Sequence, residues 1–454
     1  MSLSTMHPPE TTIAALSTPP GRGGIAILRL SGPDALRIAT RVFHGRLNTR
    51  IRPGRATLGR FRSPAGGEEL DTGYLTLHPA GRSYTGQESV ELSCHASPAI
   101  VERLLSALLE SGATAADPGE FTYRAVLNGR LDLAQAEAVR DLINAPTASS
   151  ARLAYAQLRG GLSREIGAVR ELLVDVVCRA EAGLEFAEEQ EIFPSRGELA
   201  RRIDEVAASI DRFLSSYRRG RLLSRGAMVV LAGRPNSGKS SLFNALLRLD
   251  RAIVSDQPGT TRDFLSEMID LEGMPVTLVD TAGLRPDAGG LEAEGIKRTR
   301  RQMEVADLIL VLCPCDETPD DEDHALVQQA AGRAVLVASK SDLPRRPWTS
   351  EAHAVSAMTG AGIENLHAVI AGALGATASL SVEEVLVTDA RHNDALQRCR
   401  ARLAAAQEGI AAGAPEEVVL VDLHAALEHL GEITGKVSLE EMYDRISSTF
   451  CIGK

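Results

Sequence analysis

The run Gly233-Arg234-Pro235-Asn236-Ser237-Gly238-Lys239-Ser240 has the residue types and spacing that hold a phosphate chain. Its two glycines let backbone N–H groups turn inward, and the helix expected after it adds the positive end of its dipole. Lys239 brings a point charge to the β and γ oxygens of a nucleoside triphosphate, and Ser240, with Ser241 behind it, stands where Mg²⁺ takes a hydroxyl. Downstream, Asp280-Thr281-Ala282-Gly283 offers a carboxylate that reaches Mg²⁺ through water and a glycine N–H for the γ-phosphate. Between the two motifs lies Gly259-Thr260-Thr261-Arg262-Asp263, where the Thr261 hydroxyl can complete the magnesium shell in a loop ordered by the γ-phosphate.

The base is chosen further on, at Ser339-Lys340-Ser341-Asp342. Asp342 can accept from both N1 and N2 of guanine, an edge adenine does not offer, so the pattern selects GTP over ATP. Ser356-Ala357-Met358 and Gly360 form the last base-contacting loop. Asn is the more usual residue at the position of Ser339. A hydroxyl reaches less far than an amide and lacks its NH₂, which leaves contact with guanine N7 and with the phosphate loop open. Hydrolysis also needs positive charge where negative charge gathers on the β–γ bridge. The side-chain oxygen of Asn236 can face that space and hold K⁺, together with Thr260 and the backbone carbonyls near Ser255 and Gln257. Docking of two nucleotide domains across a homodimer would order that loop. Leu284, which follows the aspartate motif, cannot orient water.

These loops need a sheet to present them. From 225 to 375, short apolar runs (Met228 to Ala232, Val276 to Val279, Leu308 to Leu312, Ala334 to Val337) alternate with helical stretches, which predicts a mostly parallel sheet with helices on both faces. Residues 1–128 read as an α/β domain of short strands, among them Ile25 to Leu30 and Val90 to Leu92, broken by glycine and proline turns. Over 129–224 the period becomes helical: Leu162, Ile166, Val169, Leu173 and Val176 share one face. A second helix opens with Ser195 and Glu198 in capping-box spacing and buries Leu199, Ile203, Val206, Ile210 and Leu214. Over 376–454 the same pattern returns at Val419, Leu423, Leu427 and Leu430, and again after Ser438 and Glu441. The expected architecture is a helical domain made of two separated segments with the nucleotide domain inserted between them.

Composition narrows the class. A chain of 454 residues with 44% hydrophobic and 24% charged content can bury several cores, and no run approaches the ~20 apolar residues of a membrane span. The beginning of the chain lacks a basic residue ahead of an apolar stretch, so no secretory leader is expected and the cytoplasm is the expected compartment. A net charge of −11 argues against an overall basic, nucleic-acid-coating surface. The arginine clusters at Arg37 to Arg62 and Arg218 to Arg225 read, on charge alone, as solvated faces, with contact to RNA as the alternative. The six cysteines match no common zinc or redox spacing.

Four segments outside the nucleotide motifs carry a resemblance: TPPGRGGIAILRLSG from Thr18, SYTGQESVEL from Ser83, PGEFTYRAVLNGRLDLAQAEAVRDLI from Pro118, and the terminus ending in Cys451-Ile452-Gly453-Lys454. With them the chain resembles the MnmE (TrmE) family of tRNA modification GTPases over nearly its whole length. The resemblance implies a tetrahydrofolate-binding-like N-terminal domain that also dimerises, a discontinuous helical domain, and an inserted P-loop GTPase domain with a Ras-like, mostly parallel sheet. It implies a homodimer that works with the FAD-containing protein MnmG (GidA). Together they would add an aminomethyl or carboxymethylaminomethyl group to C5 of the wobble uridine of tRNA, from a 5-formyl or methylene tetrahydrofolate. By motif register the folate site falls on Arg29, Glu91, Arg130 and the terminal Lys454, with Arg130 where lysine is more usual and Ala96-Ser97 in place of paired glycines. From the strand pattern alone, Arg29 and Glu91 read as a paired surface charge. The register also implies Glu292 as the water-orienting group, Arg262 and Arg285 as switch residues, and a reactive Cys451. Ribosome-assembly GTPases of the Era or EngA type, or a pure GTP switch, would share the nucleotide motifs but not the N-terminal segments or the terminal CIGK.

Overall fold

The computed structural model describes residues 8, 10–45, 51–185, 196–249, 265–281, 301–330, 332–344, 352–376, 385–435 and 453. The chain divides into two compact units, 1–140 with 428–454, and 141–427.

In the first unit, β1 (Ile13–Leu16), β2 (Gly23–Ser31), α1 (Ala35–Val42), β3 (Phe43–Gly45), β4 (Thr57–Arg62), β5 (Glu69–His78), β6 (Ser89–Ala96), α2 (Pro98–Glu110), β7 (Thr114–Ala115) and α3 (Glu120–Leu127) follow in order. The strands make one sheet, β3-β4-β5-β6-β2-β1-β7, antiparallel except where β7 joins β1. Period-two burial, as at Thr57, Gly59 and Phe61 of β4, turns one face toward α1 and α2. Leu28, Leu30, Ile38, Leu75, Leu92, Leu104 and Leu108 fill the layer between them. Helix α3 buries Phe121 against Ile13, Ala15 and Ala116, and it is held by charge as well. Arg124 and Glu120 pair at 2.8 Å with 2% and 3% of their side chains exposed. Arg124 also donates to the Thr11 carbonyl at 2.7 Å and to Gln87 Oε1 at 3.1 Å. One guanidinium thus ties the helix to the start of β1 and to the turn before β6.

The chain continues through α4 (Leu133–Ile143) into α5 (Ala148–Leu158), α6 (Gly161–Glu185) and α7 (Arg196–Arg225). All five apolar positions expected on α6 are buried. On α7 the stripe runs through Leu199, Ile203, Val206 and Ile210 and then takes Phe213 in place of Leu214. A step of three there keeps the stripe on one side of a helix 30 residues long. The capping residue Ser195 lies outside the described residues, as does the segment holding Ser438 and Glu441.

After α7 come β8 (Ala227–Ala232), α8 (Lys239–Leu249), β9 (Leu265–Leu271), β10 (Met274–Asp280), β11 (Leu308–Pro314), α9 (Asp321–Gln329), β12 (Ala334–Ser339), β13 (His353–Ala354) and α10 (Ile363–Leu374). The sheet order is β13-β12-β11-β8-β10-β9, with β9 alone antiparallel, as the hairpin partner of β10. β11 is buried along all seven residues, LILVLCP, as a parallel strand covered on both faces must be. The last helices are α11 (Ala390–Ala411) and α12 (Glu416–Thr434). α11 packs along α7, with Arg400 bonded to Asp211 at 3.0 Å, and Gln157 of α5 donates to the Leu386 carbonyl at 2.9 Å. On α12, Val419, Leu423 and Leu430 are buried, whereas Ala426 takes the inward place expected of Leu427. Leu153, Leu222, Leu223 and Leu386 from these helical segments enter the same apolar cluster as Val229, Leu242, Leu278 and Leu310 beneath the second sheet.

Candidate nucleotide site

The carboxyl ends of β8, β10, β12 and β13 lie along one edge of the sheet, and each opens into one of the sequence motifs. After β8 the backbone turns with φ of 149° at Gly233, 60° at Asn236 and 93° at Gly238. A Cβ at Gly233 would lie 2.5 Å from the Leu312 carbonyl oxygen, so β11 passes too close for any side chain there. Asn tolerates the left-handed region, and Asn236 sits exposed at the apex of the turn. The turn ends at α8, whose first residue is Lys239. Lys239 Nζ lies 2.7 Å from the carbonyl oxygens of both Gly233 and Arg234, inside the curl of the loop.

Ser240 donates to Asp280 Oδ2 at 2.6 Å. Asp280 ends β10 fully buried, and Thr281 after it donates to the Leu231 carbonyl at 2.8 Å, which locks the strand end against β8. A serine hydroxyl and one carboxylate side by side are hard oxygen donors of the kind that bind Mg²⁺ through few protein ligands.

At the other end of the edge, β12 leads into a tight turn with Lys340 at φ 55°. The Ser341 N–H donates to the Val355 carbonyl at 3.0 Å, joining the loops after β12 and β13. Ser356, fully buried, donates to Asp342 Oδ1 at 2.6 Å. That hydroxyl holds the Asp342 carboxyl below its usual range. Met358 stands exposed beside them. Ser339, whose contact with the phosphate loop the sequence left open, does make one: its hydroxyl donates to the Ser237 carbonyl at 2.6 Å.

Arg234 also serves the loop, although it occupies one of the motif's variable positions. Its guanidinium pairs with Asp320 at 2.8 Å, Asp323 at 3.1 Å and Glu317 at 3.2 Å, so the phosphate loop is tied to the turn between β11 and α9. The signal was the acidic run from Asp316 to Asp323, which contains no basic residue of its own. Cys313 donates to Asp323 at 3.3 Å, and burial pushes its thiol up to about 12, an inert value.

In the first unit, Arg29 of β2 and Glu91 of β6 are register partners and pair at 2.9 Å, as the strand pattern suggested. The Arg29 guanidinium also lies 5.7 Å from the Tyr84 ring centroid and 5.8 Å from that of Phe121. Tyr84 and Phe121 stand in two of the segments quoted above, but nothing in their spacing singled them out. Arg130 donates to the Gly81 carbonyl at 3.3 Å and lines the turn at Gly86. Gly453, buried at φ 99°, accepts from the Ser17 hydroxyl at 3.1 Å. A Cβ on it would meet the Leu16 carbonyl at 2.0 Å, so position 453 fits against the end of β1 only as glycine. Ser255, Gln257, Thr260, Thr261, Arg262, Ala282, Gly283, Arg285, Glu292, Cys451 and Lys454 lie outside the described residues.

The fold and the loops at its sheet edge define a P-loop nucleotide-binding protein. A family model described as the MnmE helical domain matches residues 133–451, and one described as the GTP-binding protein TrmE N-terminus matches residues 12–130. The protein named tRNA modification GTPase MnmE from Moorella thermoacetica is 42% identical over 463 residues, covering 98% of this chain and 100% of that one. Its namesake from Chloroflexus aurantiacus is 44% identical over 453 residues, covering 98% and 99%. The chain belongs to the MnmE (TrmE) family.

Proposed function

We propose that this chain hydrolyses GTP in the service of tRNA modification. With an FAD-containing partner it adds an aminomethyl-type group to C5 of the wobble uridine, drawing on a tetrahydrofolate one-carbon unit. It does so in the cytoplasm, as a homodimer. Among the described residues, no helix is long and apolar enough to cross a membrane. The observation that carries the GTP half is the arrangement along one sheet edge: Ser240 against Asp280 at one end, Asp342 oriented by Ser356 at the other, and Lys239 within the loop beside the first.

In this reading the loop N–H groups and Lys239 bind the phosphates and Asp342 takes the guanine edge. Ser240, Asp280 and Thr261 would hold Mg²⁺, which would supply positive charge to the phosphates. K⁺ at Asn236, with Ser255, Gln257 and Thr260, would supply positive charge beside the phosphates, and Glu292 would orient the attacking water. The folate half is supported by the Arg29–Glu91 pair, whose guanidinium is flanked by two aromatic rings and whose side chains keep 21% and 27% exposure. A flat, polar ring system bearing both hydrogen-bond donors and acceptors could stack there, donating to Glu91 and accepting from Arg29. Mass spectrometry of wobble uridine in tRNA from cells lacking this protein is the deciding test, since an unchanged nucleoside would remove the modification role. Titration of the protein with 5-formyltetrahydrofolate tests the folate half separately.

A further inference from the structure

We infer that guanine N7 goes unread in this protein, because Ser339 commits its one hydroxyl proton to the phosphate loop, so that a 7-deazaguanine nucleotide is accepted as a full substitute. The inference rests on the guanine reading above and deepens it. Ser339 ends β12 with 4% of its surface exposed, and its Oγ lies 2.6 Å from the Ser237 carbonyl oxygen. A carbonyl only accepts, so the hydroxyl must donate. The loop lies directly against this side chain, for a Cβ built on Gly238 would sit 3.8 Å from Ser339 Oγ. Guanine N7 is likewise only an acceptor, and a hydroxyl has a single proton. An asparagine amide has two N–H bonds and can give one to the loop and one to N7; serine must choose, and its geometry has chosen the loop. Ser356, the buried hydroxyl of the neighbouring base loop, has also committed its proton, to Asp342 at 2.6 Å. Among these side chains it is Asp342 that selects guanine, through the N1 and N2 edge of the base.

Ser339 is therefore a positioning residue for the phosphate loop rather than a base reader. The test compares Kd for GDP, 7-deaza-GDP and ADP on the full-length protein by calorimetry. Wild type should bind GDP and 7-deaza-GDP within about twofold of each other, and both far more tightly than ADP. Ser339→Asn should create a preference for GDP over 7-deaza-GDP of roughly 2- to 13-fold, the worth of one ordinary hydrogen bond. Ser339→Ala, which cuts only the tie to the loop, should weaken GDP and 7-deaza-GDP by the same factor. A wild-type loss of more than about fivefold on removing N7, or a Ser339→Ala loss confined to GDP, would overturn the inference while leaving the guanine reading in place. Equal affinity for GDP and ADP would instead overturn the guanine reading itself.

Discussion

Replacing Asp342 by Asn should turn a guanine site into a xanthine site, and the structure says why the swap is oriented. Asp342 Oδ1 accepts the Ser356 hydroxyl at 2.6 Å. In Asp342→Asn that donor still requires an acceptor, so the amide oxygen stays toward Ser356 and the NH₂ takes the place of Oδ2. The oxygen retains a lone pair for N1–H, while the NH₂ now faces the group on C2 of the base. With guanine that group is an amino group, so a charge-assisted hydrogen bond becomes two opposed donors. With xanthine it is a carbonyl and the bond is restored. A charge-assisted bond is worth about one to two decades of affinity, and the opposed donors cost a comparable amount again. Asp342 is solvent-exposed, which places the expected loss of GDP affinity near the lower end, about 10²-fold, with XDP gaining over wild type. Calorimetric Kd values for GDP and XDP on both proteins measure it. The double variant Asp342→Asn/Ser356→Ala should lose part of the xanthine preference, because nothing then holds the amide one way round. Unchanged selectivity, or an equal loss of both nucleotides in the single variant, would refute the placing of Asp342 at the base.

Three further outcomes follow from the same geometry. The carboxyl of Asp342 is held below its ordinary pKa, so its base-binding form persists as the pH falls and is lost only on passing that lowered value. Ser356→Ala removes the donor and raises the pKa, so the acid loss of GDP binding should begin at higher pH than in wild type; coincident pH profiles would contradict the role of the Ser356 bond. Asn236→Ala should abolish stimulation of GTP hydrolysis by K⁺, at least tens of fold in wild type if the cation does the work of an arginine finger, while leaving nucleotide affinity largely intact. Equal rates in K⁺ and Na⁺ would rule the cation out. Arg124→Met leaves Glu120 buried without its ion pair and should destabilise the first unit by about 3–5 kcal/mol in urea unfolding, with Arg124→Met/Glu120→Leu recovering much of the loss. A single variant within about 1 kcal/mol of wild type would show that the pair is not needed.

Much of this protein is legible in its sequence because the informative features are local. A glycine that must adopt positive φ, a lysine and hydroxyl at a helix start, and apolar residues at helical spacing each act over a few residues, so Gly233 to Ser240 and the buried face of α6 stand where the pattern puts them. The strand pairing of Arg29 with Glu91 was also readable, since two strands with opposite charges at matching positions favour that register. What only the tertiary structure decided are the contacts between segments far apart in the chain. The contacts of Ser339 stay open in the sequence, and the packing of β12 sets its hydroxyl on the Ser237 carbonyl. Arg234 gains its partners only because the fold brings the acidic turn after β11 beside it. Phe213 took the inward position expected of Leu214, and Ala426 that of Leu427, because a helix stripe drifts and the neighbouring helix selects which side chain fits. The physical reason is common to all of them. Local propensity and periodicity depend on near neighbours along the chain, whereas the direction of a hydrogen bond, the partner of a buried charge and the choice between adjacent apolar residues depend on surfaces that exist only once the sheets and helices have packed.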